Sequence, residues 1–334
     1  MLQNTRLSSP HLPLLKMRFF EQEGVQVNAG KREDQGVIPR CAEVCNLSKG
    51  KTEFPKLSLV GMCEPSSRIY RDASVIGRGC LGRVYKAFRR DTGAVVAVRD
   101  VDLRRFDEAA VRHLFEQEKT GVRLLHPFIV QNYSVTKNKE EFSLHIEMEY
   151  CADGSLDDLR WERKMSHCYI PEYRIWEIIV QIAGALVYMH DPNKPGGIVL
   201  HKNLKLSNVL ANGHAVKIGD VGLPEIDYTK RPDYHVFEAY RAPEATKFGI
   251  YDTASDIWAF GVMLLELCTF KQPNWKPSLL TVAPRYELWE EYSDDLYYLI
   301  EDCLKLKSSE RLTAGDIYLH PQAQEALRRL KEYE

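Results

Sequence analysis

The sequence has no excess of either charge: 45 Lys and Arg stand against 47 Asp and Glu over 334 residues, a net charge of −2. A nucleic-acid footprint needs clustered positive charge, so this balance argues against a nucleic-acid partner. Long apolar runs are absent too. The most apolar stretch, Ile178 to Met189, is broken by Gln181 and falls far short of the ~20 residues a membrane span needs. Near the start, Arg6, Lys16 and Arg18 stand without an acidic residue in the first twenty, but the run Leu12 to Leu15 is too short and Pro-broken for a secretory signal. The expectation is a cytoplasmic or otherwise intracellular chain with no membrane partner. Eight cysteines, at 41, 45, 63, 80, 151, 168, 268 and 303, include no C-x-x-C and form no regular framework. Reduced thiols are expected, and the pair Cys41 and Cys45 has no second Cys or His pair to complete a metal site. No internal repeat is present.

What is there is ordinary globular composition, 44% hydrophobic and 28% charged, enough for a two-lobed core and an extension. Residues 1–67 mix Ser, Pro, Gly, Asn and scattered charge with no sustained period, which predicts a disordered extension; Lys56 to Val60 is its one strand-like piece. From Tyr70 the pattern tightens. Ala73 to Ile76, Arg83 to Phe88, Ala94 to Val98, Ile129 to Val135 and Phe142 to Glu149 read as strands, with Asp91-Thr92-Gly93 as a hairpin turn. Between the third and fourth lies a helix, capped by Asp107 and striped by Val111, Leu114 and Phe115. After Cys151-Ala152-Asp153-Gly154 the chain turns helical. Pro171 opens a long helix whose Ile175, Ile179, Ile182, Leu186 and Met189 share one face. Asp256 to Cys268 is apolar on nearly all sides and suits a central helix; Leu296 to Leu304 and Ala314 to Leu319 are further helices. The tail from Gln322 reads as a short charged helix with a solvated face.

Three short stretches carry chemistry. Gly77-Arg78-Gly79-Cys80-Leu81-Gly82-Arg83-Val84 is G-x-G-x-x-G-x-V between two strands, where glycines let the backbone approach phosphate oxygens. Alone it is equally a structural hairpin; followed within one hairpin by Val96-Ala97-Val98-Arg99 it becomes specific. His201 to Leu210, H-K-N-L-K-L-S-N-V-L, keeps the spacing of the loop H-R-D-L-x-x-x-N, and Asp220-Val221-Gly222 follows it. With Arg241-Ala242-Pro243-Glu244, Asp256 to Gly261 and Arg311, these motifs resemble the eukaryotic protein kinases from about residue 68 to 323. Met148 to Leu156, Ile170 to Trp176 and Tyr188 to Pro192 are most similar to the NimA-related Ser/Thr kinases.

The resemblance implies an α+β, two-lobed protein-kinase-like fold. A small five-stranded β lobe with one helix would occupy 68–150, a larger mainly α lobe 151–323, and a short helical tail 324–334. It implies nucleotide contacts at Gly77, Gly79, Gly82, Val84, Ala97, Arg99, the gatekeeper Met148, and Glu149 and Cys151 of the hinge. Asn208 and Asp220 stand at the two Mg2+ ligand positions and Lys205 beside the transferred phosphate, so the cofactors implied are ATP and Mg2+ if nucleotide binding is retained. The partner implied is a protein, as substrate or as binding partner.

Five departures qualify this. Asn203 replaces the catalytic Asp, and an amide cannot take a proton; general-base contributions run at about 10²–10⁴ in rate. Arg99 replaces the phosphate-binding Lys, keeping the charge but not the shape. Lys202, Val221 and Phe237 stand where the family has Arg, Phe and Thr. Counting back from His126 puts the family's helix Glu at Gln117, flanked by Glu116 and Glu118, and only one of the three can face Arg99. Two readings stay open: a pseudokinase acting as scaffold or allosteric partner with residual MgATP binding, and an active or weakly active Ser/Thr protein kinase. A small-molecule kinase is disfavoured by the Ala242-Pro243-Glu244 segment and Arg311.

Overall fold

Along Val95–Asp102 the residues are buried almost without interruption, which places this strand, β3, at the centre of a sheet covered on both faces. It pairs antiparallel with β2 (Gly82–Arg89) on one side and β5 (Ser143–Glu149) on the other; β1 (Tyr70–Arg78) and β4 (Asn132–Asn138) form the edges, giving the order β1-β2-β3-β5-β4. The two-residue period of a strand then sorts the side chains. Val96 and Val98 pack with Tyr70 and Ala87 on one face, while Ala97 and Val101 pack with Val111 and Leu114 of α1 (Glu108–Arg123) on the other. Arg99 shares the second face, so its buried guanidinium points toward α1. Asp107 caps that helix as expected, accepting from the Ala110 amide at 2.7 Å.

This is a computed structural model, and it describes residues 68–78, 82–138, 142–221 and 238–332. The expectations for 1–67, Gly79, Gly222 and Phe237 lie outside the described residues. Several boundaries differ from the pattern reading, and two of the differences have a clear physical reason. β4 begins at Asn132, not Ile129, because the preceding residues cross to the large lobe: Ile129 bridges Ile218, and the Val130 amide donates to the Ile218 carbonyl at 2.9 Å. β3 extends past Val98 through Arg99 and Asp100, whose burial the polar letters concealed.

The large lobe is built on α3 (Glu172–His190) and α5 (Thr253–Thr269), both buried along most of their length. Around them stand α2 (Leu156–Met165), α4 (Pro243–Phe248), α6 (Asp294–Cys303), α7 (Ala314–Tyr318) and α8 (Pro321–Glu332). Reciprocal capping boxes start three of these: Ser155 with Asp158, Asp252 with Ser255, and Thr313 with Asp316. Between α5 and α6 the chain is irregular apart from a single turn at Pro277–Leu279, around a cavity of about 870 Å3 that includes Trp275, Tyr286 and Tyr297. The tail helix is not a solvated face: Ala323, Ala326 and Leu330 are buried in the main core of the large lobe. Among the described residues no helix is long and apolar enough to cross a membrane.

Candidate active site

The loop His201 to Leu210 owes its shape to a residue on α5. Asp256 accepts from the backbone amides of His201 at 2.8 Å and Lys202 at 2.9 Å, and its Oδ2 lies 2.9 Å from His190 Nε2. Lys202 sits in the left-handed region at φ 61, a backbone cost that the double anchor offsets. His201 is fully buried, and burial lowers its pKa, so the neutral ring accepts the Asn203 amide at Nδ1, 3.2 Å away. Asn208 Nδ2 donates back to the Asn203 carbonyl at 2.7 Å, closing the loop, and the Asn208 carbonyl accepts from the Gly219 amide at 2.8 Å. That last bond ties the loop to the hairpin β6 (Val209–Asn212) and β7 (Ala215–Ile218), which delivers Asp220 to the site. Lys205 is half-buried at the head of the turn Leu206–Asn208.

Opposite stands Arg99. Its guanidinium forms an ion pair with the Asp220 carboxylate and reaches Glu118 Oε1 at 4.0 Å. Glu118 is thus the acidic partner on α1, and the alignment that put Gln117 there is off by one residue. The stripe Val111, Leu114, Glu118 follows the i, i+3, i+7 spacing of one helix face. Glu116 points to solvent and pairs with Lys119 at 2.9 Å. Burial pushes the Glu118 carboxyl up to about 7; Arg99 pulls it down and Asp220 adds to the rise. The ion pair at 4.0 Å is therefore too loose to compensate for desolvation, and Glu118 Oε1 makes no hydrogen bond among the described residues.

Val84, Ala97, Met148, Tyr150, Cys151 and Leu210 belong to one cluster, with Ala97 and Met148 paired directly across β3 and β5. Glu149 is held by Lys217 at 2.8 Å, and its amide donates to the Gln131 carbonyl at 2.8 Å. Burial raises the Cys151 thiol to about 12, so it is not a nucleophile at neutral pH. The glycines divide. A Cβ on Gly82 would lie 1.8 Å from the Asp100 carbonyl oxygen, so β3 itself requires that glycine; on Gly77 it would meet only Val84 at 3.8 Å.

Asn208 and Asp220 do not fit a Mg2+ ion as they are arranged. Mg2+ demands near-octahedral oxygen ligands at about 2.0–2.1 Å, and the Asp220 carboxylate already serves Arg99. No group of three or more His, Cys, Asp or Glu side chains among the described residues is placed to hold a metal.

Beyond the loop, Glu244 and Arg311 meet in a fork of two bonds at 2.7 Å, and Arg311 lies 5.2 Å from the Trp258 ring centre. Tyr240 donates to Glu266, which also faces the buried Arg160 at 3.5 Å. The resemblance implies Arg311 as the buried partner of Glu244, and the structure shows that pair; the contacts of Tyr240, Glu266 and Arg160 and the role of Asp256 as anchor join residues far apart in sequence and left no local signal.

The sheet of five strands, the helical lobe, and a loop and hairpin meeting a charged residue on β3 define a two-lobed protein kinase fold. A family model for the protein kinase domain matches residues 70–322, and the chain belongs to that family. Its relatives include NimA-related kinases, and the domain is of that type. The chain is 29% identical to human serine/threonine-protein kinase Nek2 over 262 residues, 75% of this chain and 59% of the relative. It is 32% identical to zebrafish Nek8 over 265 residues, 75% and 36% respectively. Mitogen-activated protein kinase kinase 7 of Arabidopsis thaliana is 30% identical over 274 residues, 76% and 84%. The chain spans 59% of human Nek2 and 38% of the fission-yeast G2-specific protein kinase fin1. Protein kinases generally use ATP and Mg2+ and act on proteins.

Proposed function

We propose that this kinase domain works as a pseudokinase: it holds a nucleotide and serves as scaffold or allosteric partner to another intracellular protein. The observation that carries the reading is the coupled change at the reacting centre. Asn203 stands where proton acceptance is needed, and Arg99 is engaged by both Glu118 and Asp220. Gly77, Gly79, Gly82, Val84, Ala97, Arg99, Met148, Glu149 and Cys151 are the proposed nucleotide contacts. Asn203 and Lys205 are the proposed remnants of the transfer machinery. Asp220 and Asn208, expected as Mg2+ ligands, stand beside them. A second reading, an active Ser/Thr protein kinase, rests on the retention of Lys205, Asn208 and Asp220, since phosphoryl transfer is largely positioning and electrostatics.

Transfer from labelled ATP to the protein itself and to a generic protein substrate separates the two. The wild type is expected to be silent, and Asn203→Asp with Arg99→Lys to gain measurable turnover. Robust wild-type transfer that Asp220→Ala abolishes would establish the second reading instead.

A further inference from the structure

Arg99 occupies the position of the phosphate-binding lysine, and we propose that this site binds nucleoside triphosphate without a divalent cation, the Arg99 guanidinium supplying the positive charge. The inference rests on the nucleotide-binding reading above and specifies how that site does it.

Two observations lead there. First, the guanidinium is held in place rather than swinging from a surface stem. It rises from the central strand, opposite Val84 on β2 and Ile146 on β5, is buried, and is paired with Asp220 on the hairpin side, with Glu118 Oε1 4.0 Å away on the helix side. A planar fork of five donors fixed in this way matches phosphate oxygens better than an ammonium does. Second, Asp220 is the only carboxylate of the expected metal pair, and it is spent on Arg99. A Mg2+ ion arriving with nucleotide would have to break that pair and then sit beside a buried, permanently charged guanidinium, with the amide of Asn208 as its one other expected protein ligand.

Calorimetric titration of the full chain with ATP, once in excess EDTA and once in millimolar MgCl2, reads this directly. The wild type is expected to bind in EDTA with a Kd within about threefold of that in MgCl2. Arg99→Ala, which removes the guanidinium and releases Asp220, is expected to weaken binding in EDTA by about tenfold or more. It should also restore a requirement for Mg2+. Wild-type binding seen only with Mg2+ would overturn the inference and leave the nucleotide site standing. Absence of binding in both buffers would overturn the nucleotide site itself. The wild-type comparison decides the matter even where Arg99→Ala does not fold.

Discussion

Burial lifts the Glu118 carboxyl to about 7 from an ordinary 4.5, against the pull of Arg99. A group with a raised folded pKa holds its proton more tightly when folded, so its contribution favours folding fully below about 4.5 and is lost as the pH climbs through 7. The charged form therefore burdens the folded domain above neutral pH. Glu118→Gln keeps the shape and the contact with Asn132 while removing that charge, and Arg99 retains Asp220 as its counter-ion. Wild type and variant should unfold alike near pH 5 and diverge as the pH rises, the variant ahead by about 2–4 kcal/mol at pH 8. Chemical unfolding at the two pH values measures this; a variant weaker at pH 8 would show that the Arg99 ion pair outweighs desolvation.

At the scale of elements, the glycine motif holds two residues of the same type with different reasons. Gly82 starts β2 where a Cβ would collide with the β3 backbone at Asp100, while a Cβ on Gly77, next to last in β1, would make only an ordinary contact with Val84 at 3.8 Å. Gly82→Ala should force the strands apart and cost about 1–3 kcal/mol. Gly77→Ala should stay within about 0.5 kcal/mol of wild type, and a thermal melt of each compares them. Much of this architecture was legible in the sequence because it depends on local period and spacing: the Asp107 cap, the buried face of α3, and the loop His201 to Leu210. Glu118 was legible as well, since it continues the stripe of Val111 and Leu114, but a count by motif spacing ignores helical angle and landed on Gln117. The tail helix was misread because its buried face is made largely of alanines, Ala323 and Ala326, too small to stand out as an apolar stripe. The anchoring of two amides by Asp256, more than fifty residues away, leaves no local signal at all.

For the whole molecule, the decisive long-range tie is between Glu244 at the start of α4 and Arg311 beyond α6, 67 residues apart. The Arg311 side chain is wholly buried, and besides the Glu244 fork it donates to the carbonyls of Ala254, Lys305 and Leu306. Burial works against the Glu244 charge, but the Arg311 fork prevails and holds the carboxyl below its ordinary 4.5. Its contribution is accordingly present above that value and fades as the pH falls through the lowered one. Truncating Arg311 to Ala strands a half-buried carboxylate, deprives three carbonyls of a donor and leaves a hole against Trp258, so the loss should be about 3–5 kcal/mol. Glu244→Gln with Arg311→Met removes both charges while keeping volume, and should recover part of that loss, because the uncompensated charge accounts for much of the cost of breaking a buried pair. Urea unfolding of wild type, Glu244→Gln, Arg311→Met and the double variant, at a pH near 7, gives the coupling. A double variant no better than Arg311→Ala would shift the weight from the ion pair to the three carbonyl bonds.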